Sequence, residues 1–233
     1  MGENSNYKSP QWLMPENSNK DKVSNLSYQF DGVNDFVTVN DDSSLKVVTA
    51  NHSLSFWMKT TDGSTQVLSE KGSGDELAAW VVSNKIRWAG PNTLNSSTSV
   101  NDGNWKHIVF VADGSSSFIY INGSLDATGS TKIQASANAS NYVFGARSGG
   151  SFAYQGNVDE LAIFNYALSS SDVNTIYNSG IPTNLNDLST PPITYFRCGD
   201  GDTFPTLTDN GSGSNDGTMT NMAADDIVED TPS

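Results

Sequence analysis

The chain reads as an all-β protein, a sandwich or barrel of short antiparallel strands with one short helix. Three observations predict this. Gly, Ser, Thr and Asn crowd the sequence while Ala, Leu, Glu and Lys never gather into a long run of helical period. Several stretches alternate side chains between two faces, as strands do. Turn signals separate them at Asp62-Gly63, Gly72 to Gly74, Asn101 to Gly103, Asp113-Gly114, Asn122-Gly123 and Ser148 to Gly150. With 233 residues, 36% of them hydrophobic, the chain can bury the core that such a sandwich needs.

Residues 1–26 are polar, with Pro10 and Pro15 bracketing Trp12, Leu13 and Met14. An apolar triplet is costly in water, so this segment is expected to be a docking arm that packs on its own domain or on a neighbour. A sandwich domain follows over 27–180. Within it, "SLSFWMK" (53–59) puts Leu54, Phe56 and Met58 on one face, and "NWKHIVFVAD" (104–113) sets Trp105, His107, Val109 and Val111 against Ile108 and Phe110. Both stretches are apolar on two faces, which predicts cover on both sides. In "SFIYINGSLDATG" (117–129), Asn122-Gly123 lies between extended runs and signals a hairpin, because a type I′ turn needs positive φ at both central residues.

The helix begins at Ser169 as N-cap, with Asp172 three residues on in the capping-box position. Val173, Ile176 and Tyr177 share one face, and Gly180 with Pro182 ends it. Residues 181–192 read as a linker. Residues 193–222 return to strand-like patterning, and 223–233 form an acidic tail expected to be mobile.

A formal net charge of -14 with only 12 Lys and Arg excludes the clustered basic surface that nucleic acid requires. No run approaches the ~20 apolar residues of a membrane span, and the first twenty residues lack both the apolar core and the basic start of an export signal. The single cysteine, Cys198, forms no intrachain disulfide and is expected to be a buried free thiol. Sequons at Asn25, Asn51, Asn95, Asn122 and Asn138 are read as chance matches in an Asn- and Ser-rich chain.

Six motifs in order carry a resemblance: "YQFDGVNDFVTVNDDSSL" (28–45), "SLSFWMKT", "QVLSEKG" (66–72), "GNWKHIVFV", "FIYINGSL" and "FGARSGGSFAYQGNVDELAIFNYALS" with "SDVNTIYNSG". Over about residues 28–180 the chain resembles the laminin G-like branch of the concanavalin A-like lectin/glucanase superfamily. The resemblance implies a jelly-roll sandwich of two antiparallel sheets. Residues 193–222 resemble the segment that normally opens such a domain. A circular permutation is therefore expected, with these strands completing the sheets of their own chain or of a neighbour. The arm, the acidic tail and the missing export signal resemble virion proteins of marine tailed phages.

Retaining glucanases of that superfamily place Glu-x-Asp-x-x-Glu on one strand, so that nucleophile and acid stand ~5.5 Å apart. The chain has no such pattern. Asp159 and Glu160 are neighbours on a strand and are expected to point to opposite faces, which leaves no catalytic residue and no enzyme. The resemblance implies instead a structural calcium on Asp31 and Asp159, with Asn34 contributing and Asp35 available from the same turn. Hard oxygen donors suit that ion, and the equal alternative is that Asp31 caps its turn while Asp159 bonds nearby amides. Glu160 is assigned a basic partner or solvent. His107 and His52 are too far apart for zinc, and His107 reads as a core histidine.

Trp80, Arg87, Trp88 and Tyr154 are the candidate carbohydrate-binding residues, since aromatic rings stack on sugar C–H faces and Arg supplies planar donors. The competing role for the two tryptophans is core filling. The expected protein is a non-enzymatic virion or surface component, a homo-oligomer that attaches to host carbohydrate and touches other virion proteins through arm and tail. Its rivals are a purely structural capsid decoration or fibre-base subunit, and a free calcium-dependent lectin.

Overall fold

The computed structural model describes residues 24–46, 51–72, 76–90, 92–129 and 139–233. In chain order its strands are β1 (Ser27–Asp31), β2 (Phe36–Val39), β3 (Asn51–Lys59), β4 (Gln66–Lys71), β5 (Glu76–Val82), β6 (Lys85–Trp88), β7 (Leu94–Ser99), β8 (Lys106–Asp113), β9 (Ser117–Ile121) and β10 (Ser124–Gly129). Then come β11 (Tyr142–Phe144), β12 (Gln155–Phe164), the helix α1 (Ser170–Tyr177), β13 (Thr194–Phe196), β14 (Thr206–Leu207), β15 (Gly217–Thr220) and β16 (Ile227–Val228).

They form two antiparallel sheets of eight strands. The first runs β10-β9-β8-β3-β12-β1-β16, with β13 also on β12, and the second runs β14-β15-β2-β11-β4-β5-β6-β7. The apolar faces of the two sheets meet in one core that includes Tyr28, Phe30, Phe56, Trp88, Phe110, Phe144 and Phe196. This is a sandwich, as alternation and turns predict, and of the jelly-roll type that the resemblance implies.

The first sheet has a second apolar layer on its outer face. Val109, Val111, Ala162 and Phe164 pack there against Leu168, Val173 and Ile176 of the helical segment and against Leu185 and Tyr195. That cover explains why β3 and β12 are buried residue after residue instead of alternating with solvent. The helix starts as its sequence dictates: Ser169 Oγ accepts from the Asp172 N–H and Asp172 Oδ2 accepts from the Ser169 N–H. Its α-helical part stops two residues before Gly180, at Asn178 in the left-handed conformation (φ 42°), and a 3-10 turn over Asn178–Gly180 leads to the glycine.

The Asn122-Gly123 hairpin joins β9 and β10 with φ of 51° and 77°. A side chain at Gly123 would also meet the Tyr177 ring at 2.7 Å, so glycine is needed twice over.

The strands beyond residue 193 belong to the sandwich. Within the same chain β13 pairs with β12, β15 pairs with β2, and β16 pairs with β1. The expected linker carries the buried Leu185, and Tyr166 donates to the Thr190 carbonyl. The expected mobile tail is folded: Asp230 receives Lys59 Nζ at 2.7 Å and Trp105 Nε1 at 3.1 Å, and its carbonyl accepts from Ser27 Oγ at 2.7 Å. Asp230 finds half-buried donors at the end of β3 and just ahead of β8, which sequence composition does not reveal. Trp12, Leu13 and Met14 lie outside the described residues, as does the Asn138 sequon.

Candidate functional site

The open outer face of the second sheet carries the candidate site. On β5 the side chains of Leu77, Ala79 and Val81 enter the core, so Trp80 points away from it. Arg87 on β6 is the direct cross-strand partner of Trp80, and Asn95 on β7 is the partner of Arg87. Arg87 Nε donates to Asn95 Oδ1 at 2.8 Å.

Above this row stands the loop between β11 and β12. It is held by Val67 N–H donating to the Phe152 carbonyl at 2.8 Å, and by Arg147 N–H to the Ser151 carbonyl at 2.9 Å. The Phe152 ring, 49% exposed, lies 6.3 Å from the Trp80 ring with 26° between their planes. The Arg147 guanidinium carbon sits 5.5 Å from one centroid and 5.9 Å from the other. The three groups thus form a nearly equilateral triangle, a cation–π arrangement on two rings. Arg147 is fixed by Glu70, whose Oε1 accepts its Nε at 3.1 Å. Trp80 Nε1 is buried and has no acceptor among the described residues. A flat, half-exposed apolar patch edged by planar donors can receive a ring with C–H faces and rim oxygens, which is the chemistry of a sugar.

Of the four residues expected to touch sugar, the structure brings together Trp80 and Arg87 only. Trp88 is 1% exposed and stacks on Phe110 at 5.0 Å and 8°, because the β5–β6 register sets it opposite Ala79 on the core side. Tyr154 is wholly buried, its hydroxyl donating to the Lys59 carbonyl at 3.1 Å, and burial pushes its pKa up. Both are core residues. Phe152, Arg147, Glu70 and Asn95 were missed by sequence reading. The turn Ser148 to Gly150 just before Phe152 was the available signal, since it marks a loop tip.

The calcium set does not converge. Asp31 pairs with Gln155 in the β1–β12 ladder, and Asp159 lies four residues further along β12, about 13 Å away. Asp31 Oδ1 accepts from the Val33 N–H at 2.7 Å and the Asn34 N–H at 3.4 Å, closing its own turn. Asn34 is exposed, and its carbonyl accepts from Asn221 Nδ2. One ion cannot bridge Asp31 and Asp159. Among the described residues no group of three or more His, Cys, Asp or Glu is placed to hold a metal.

Asp159 and Glu160 do not point to opposite faces as expected. A β-bulge between Asp159 and Ala162 sets two residues of β12 against one of β3, with Glu160 at φ 50°. Val158 and Leu161 on either side enter the main core, so both acids fall on the covered outer face. The bulge sits where pairing of β12 with β1 gives way to pairing with β13.

Each carboxylate there is spoken for. Asp159 Oδ2 accepts from Ser24 Oγ at 2.6 Å and Oδ1 from the Glu160 N–H at 2.8 Å. Glu160 accepts a short bond from the Tyr195 hydroxyl and pairs with Arg197 at 3.5 Å. Burial pushes Glu160 up to about 7, against the pull of Tyr195 and Arg197. Burial, then the neighbouring Glu160 charge, pushes Asp159 well above the carboxylate range. His107 is a buried core residue, its Nε2 2.9 Å from Ser55 Oγ and its pKa held down near 3 by burial. Cys198 is free and buried.

A cleft of about 330 Å³ lies beside the Asp31 turn, lined by Gln29, Asp31, Lys59, Gln155, Asn157 and Asp226 among others. Among the described residues no helix is long and apolar enough to cross a membrane.

Fold and open platform together define an antiparallel β-sandwich of lectin type. A laminin G family model described as "Concanavalin A-like lectin/glucanases superfamily" matches residues 31–174, and the chain belongs to that superfamily. No curated protein matches the chain. Among solved structures, a carbohydrate-binding candidate from Bacteroides ovatus superposes with a TM-score of 0.68 at 14% identity, covering 91% of this chain and 61% of that one. The chain therefore spans less than two thirds of that protein. The binding domain of Paraclostridial Mosquitocidal Protein 1 gives 0.51 at 16% identity over 69% and 52% of the two chains. A heptameric SAP-like pentraxin from Limulus polyphemus gives 0.50 at 16% identity over 66% and 82%. At these identities the likeness is one of fold.

Proposed function

We propose that the chain is a non-enzymatic carbohydrate-binding module whose ligand rests on Trp80, Phe152 and Arg147. The observation that carries this reading is that triangle, partly exposed on a sheet face whose neighbours Arg87 and Asn95 offer polar rim groups. The likeness to a carbohydrate-binding candidate supports it. The adjacent acids Asp159 and Glu160 are buried and bonded to Ser24, Tyr195 and Arg197, which supports the absence of glycoside hydrolysis at that pair. Calorimetric titration of the chain against a panel of soluble oligosaccharides is expected to show saturable binding. Trp80→Ala and Phe152→Ala each weaken it about tenfold or more, or ~1.4 kcal/mol. A panel without any binder would sink the reading and favour the purely structural rival.

The finer reading places the module on a virion, as an oligomer attaching to host-surface carbohydrate. It is supported by the sequence style of the N-terminal arm. Because residues 223–233 fold onto β1, contacts with other virion proteins fall to that arm. Immunogold labelling of candidate phage particles tests it, and unlabelled particles would remove it. The calcium-dependent lectin alternative loses its bridging pair, since Asp31 and Asp159 stand apart.

A further inference from the structure

We propose that the platform selects saccharides bearing an isolated carboxylate, of the uronic-acid type, gripped by Arg87 and Arg147. The proposal deepens the carbohydrate reading and rests on it. The chain has three arginines, at 87, 147 and 197, in a background of net charge -14. Arg197 is tied to Glu160 on the covered face. The other two both flank Trp80, one across the strand pair and one over the ring. That is a marked concentration of guanidinium in an acidic protein.

Each of the two spends only its Nε inside the protein, on Asn95 Oδ1 and on Glu70 Oε1. For neither does the terminal nitrogen pair have a partner among the described residues. Those pairs are the fork that meets a planar carboxylate with two parallel hydrogen bonds. In a uronate the carboxyl group projects from the rim of the sugar ring. The ring face can therefore lie on Trp80 and Phe152 while the carboxylate reaches a fork, and no neutral hexose offers both contacts.

Charge decides between one carboxylate and a dense polyanion. Glu70 cancels one guanidinium, and Asp126, which accepts from the Ser97 and Thr98 amides, stands against Lys85, whose Nζ donates to the Ser97 carbonyl, so these groups net one positive charge for one anionic group to balance. A polysulfated chain would carry further anions across a surface of net charge -14, where repulsion acts over a Debye length of about 8 Å at physiological salt.

The test titrates the full chain with a trisaccharide that carries one uronate among neutral sugars and with its methyl ester, which keeps the skeleton and removes the charge, alongside dextran and dextran sulfate. The acid is expected to bind about tenfold more tightly than the ester at low salt, with a narrower gap at high salt. The double variant R87Q/R147Q is expected to bind acid and ester alike. If that variant does not fold, the salt response of the natural chain decides.

Ester binding as tight as acid would overturn the carboxylate preference and leave the carbohydrate reading standing. Dextran sulfate outcompeting the uronate would overturn the isolated-charge argument. Failure of every probe here, together with a silent oligosaccharide panel, would remove the carbohydrate reading itself and this proposal with it.

Discussion

The outer faces of the two sheets carry similar residues and put them to opposite uses. On the first sheet the helix, Leu185 and Tyr195 lie over Val109, Val111, Ala162 and Phe164, and everything beneath them is cut off from water. There the Trp57 ring lies against His107 at 4.9 Å, tilted by 35°, and Asp159 and Glu160 are bonded to Ser24, Tyr195 and Arg197. On the second sheet nothing among the described residues covers β5 to β7 in that way. Trp80, Arg87 and Phe152 keep surface to offer. Whether an aromatic ring or a charged group is structural or available is thus set by what a distant part of the chain lays over it.

Two tryptophans on neighbouring strands make the sharpest test. Trp88 fills the core against Phe110 and His52, while Trp80 sits on the platform. Trp88→Ala is expected to cost about 3–5 kcal/mol of stability by transfer loss and cavity formation. Trp80→Ala is expected to cost less than about 1 kcal/mol, because part of the ring is already in water. Urea unfolding of both variants measures the difference. Equal losses would mean that the second sheet is covered after all, and the contrast between faces would fail.

Much of this division can be read from residues. Two-sided apolarity in 53–59 and 104–113 forecasts a covered sheet, and Asn122-Gly123 and Ser169 with Asp172 mark a turn and a cap through local chemistry that tertiary context does not alter. The roles of Trp80 and Trp88 were also within reach. Ser83 and Asn84 have φ of 51° and 70°, so the β5–β6 hairpin has a two-residue turn, and its register alone sends the tryptophans to opposite faces. The bulge at Glu160 was not within reach. Where both faces of a strand are buried, alternation carries no mark of an inserted residue, and the partner that fixes the bulge, β13, lies more than thirty residues away. Arg147 and Phe152 were hidden for a related reason, since a loop joins the site only through its fold.

The covered acids give the second test, of smaller size. Burial holds Glu160 near 7 and Asp159 well above its ordinary range, while in the unfolded chain both titrate near 4 to 4.5. Between those values the native state holds protons that the unfolded chain has lost. Stability is therefore highest at the acid end of that window and falls as pH rises from about 4.5 to about 7. Asp35 and Asp202, also raised by burial, act in the same direction. Asp41, Asp42, Asp102 and Asp113 act oppositely. Lys71, the Ser44 amide, Lys106 and the Ser115 amide in turn lower their pKa values, so their contribution is present above about 4 and lost as pH falls further. The melting temperature is thus expected to be higher at pH 5 than at pH 7.5. Glu160→Gln, which can still accept the Tyr195 hydroxyl, is expected to narrow that gap without moving sugar affinity on the other sheet. A natural chain that melts higher at pH 7.5, or a variant that keeps the full gap, would show that water reaches the bulge and that the first sheet is less closed than its packing implies.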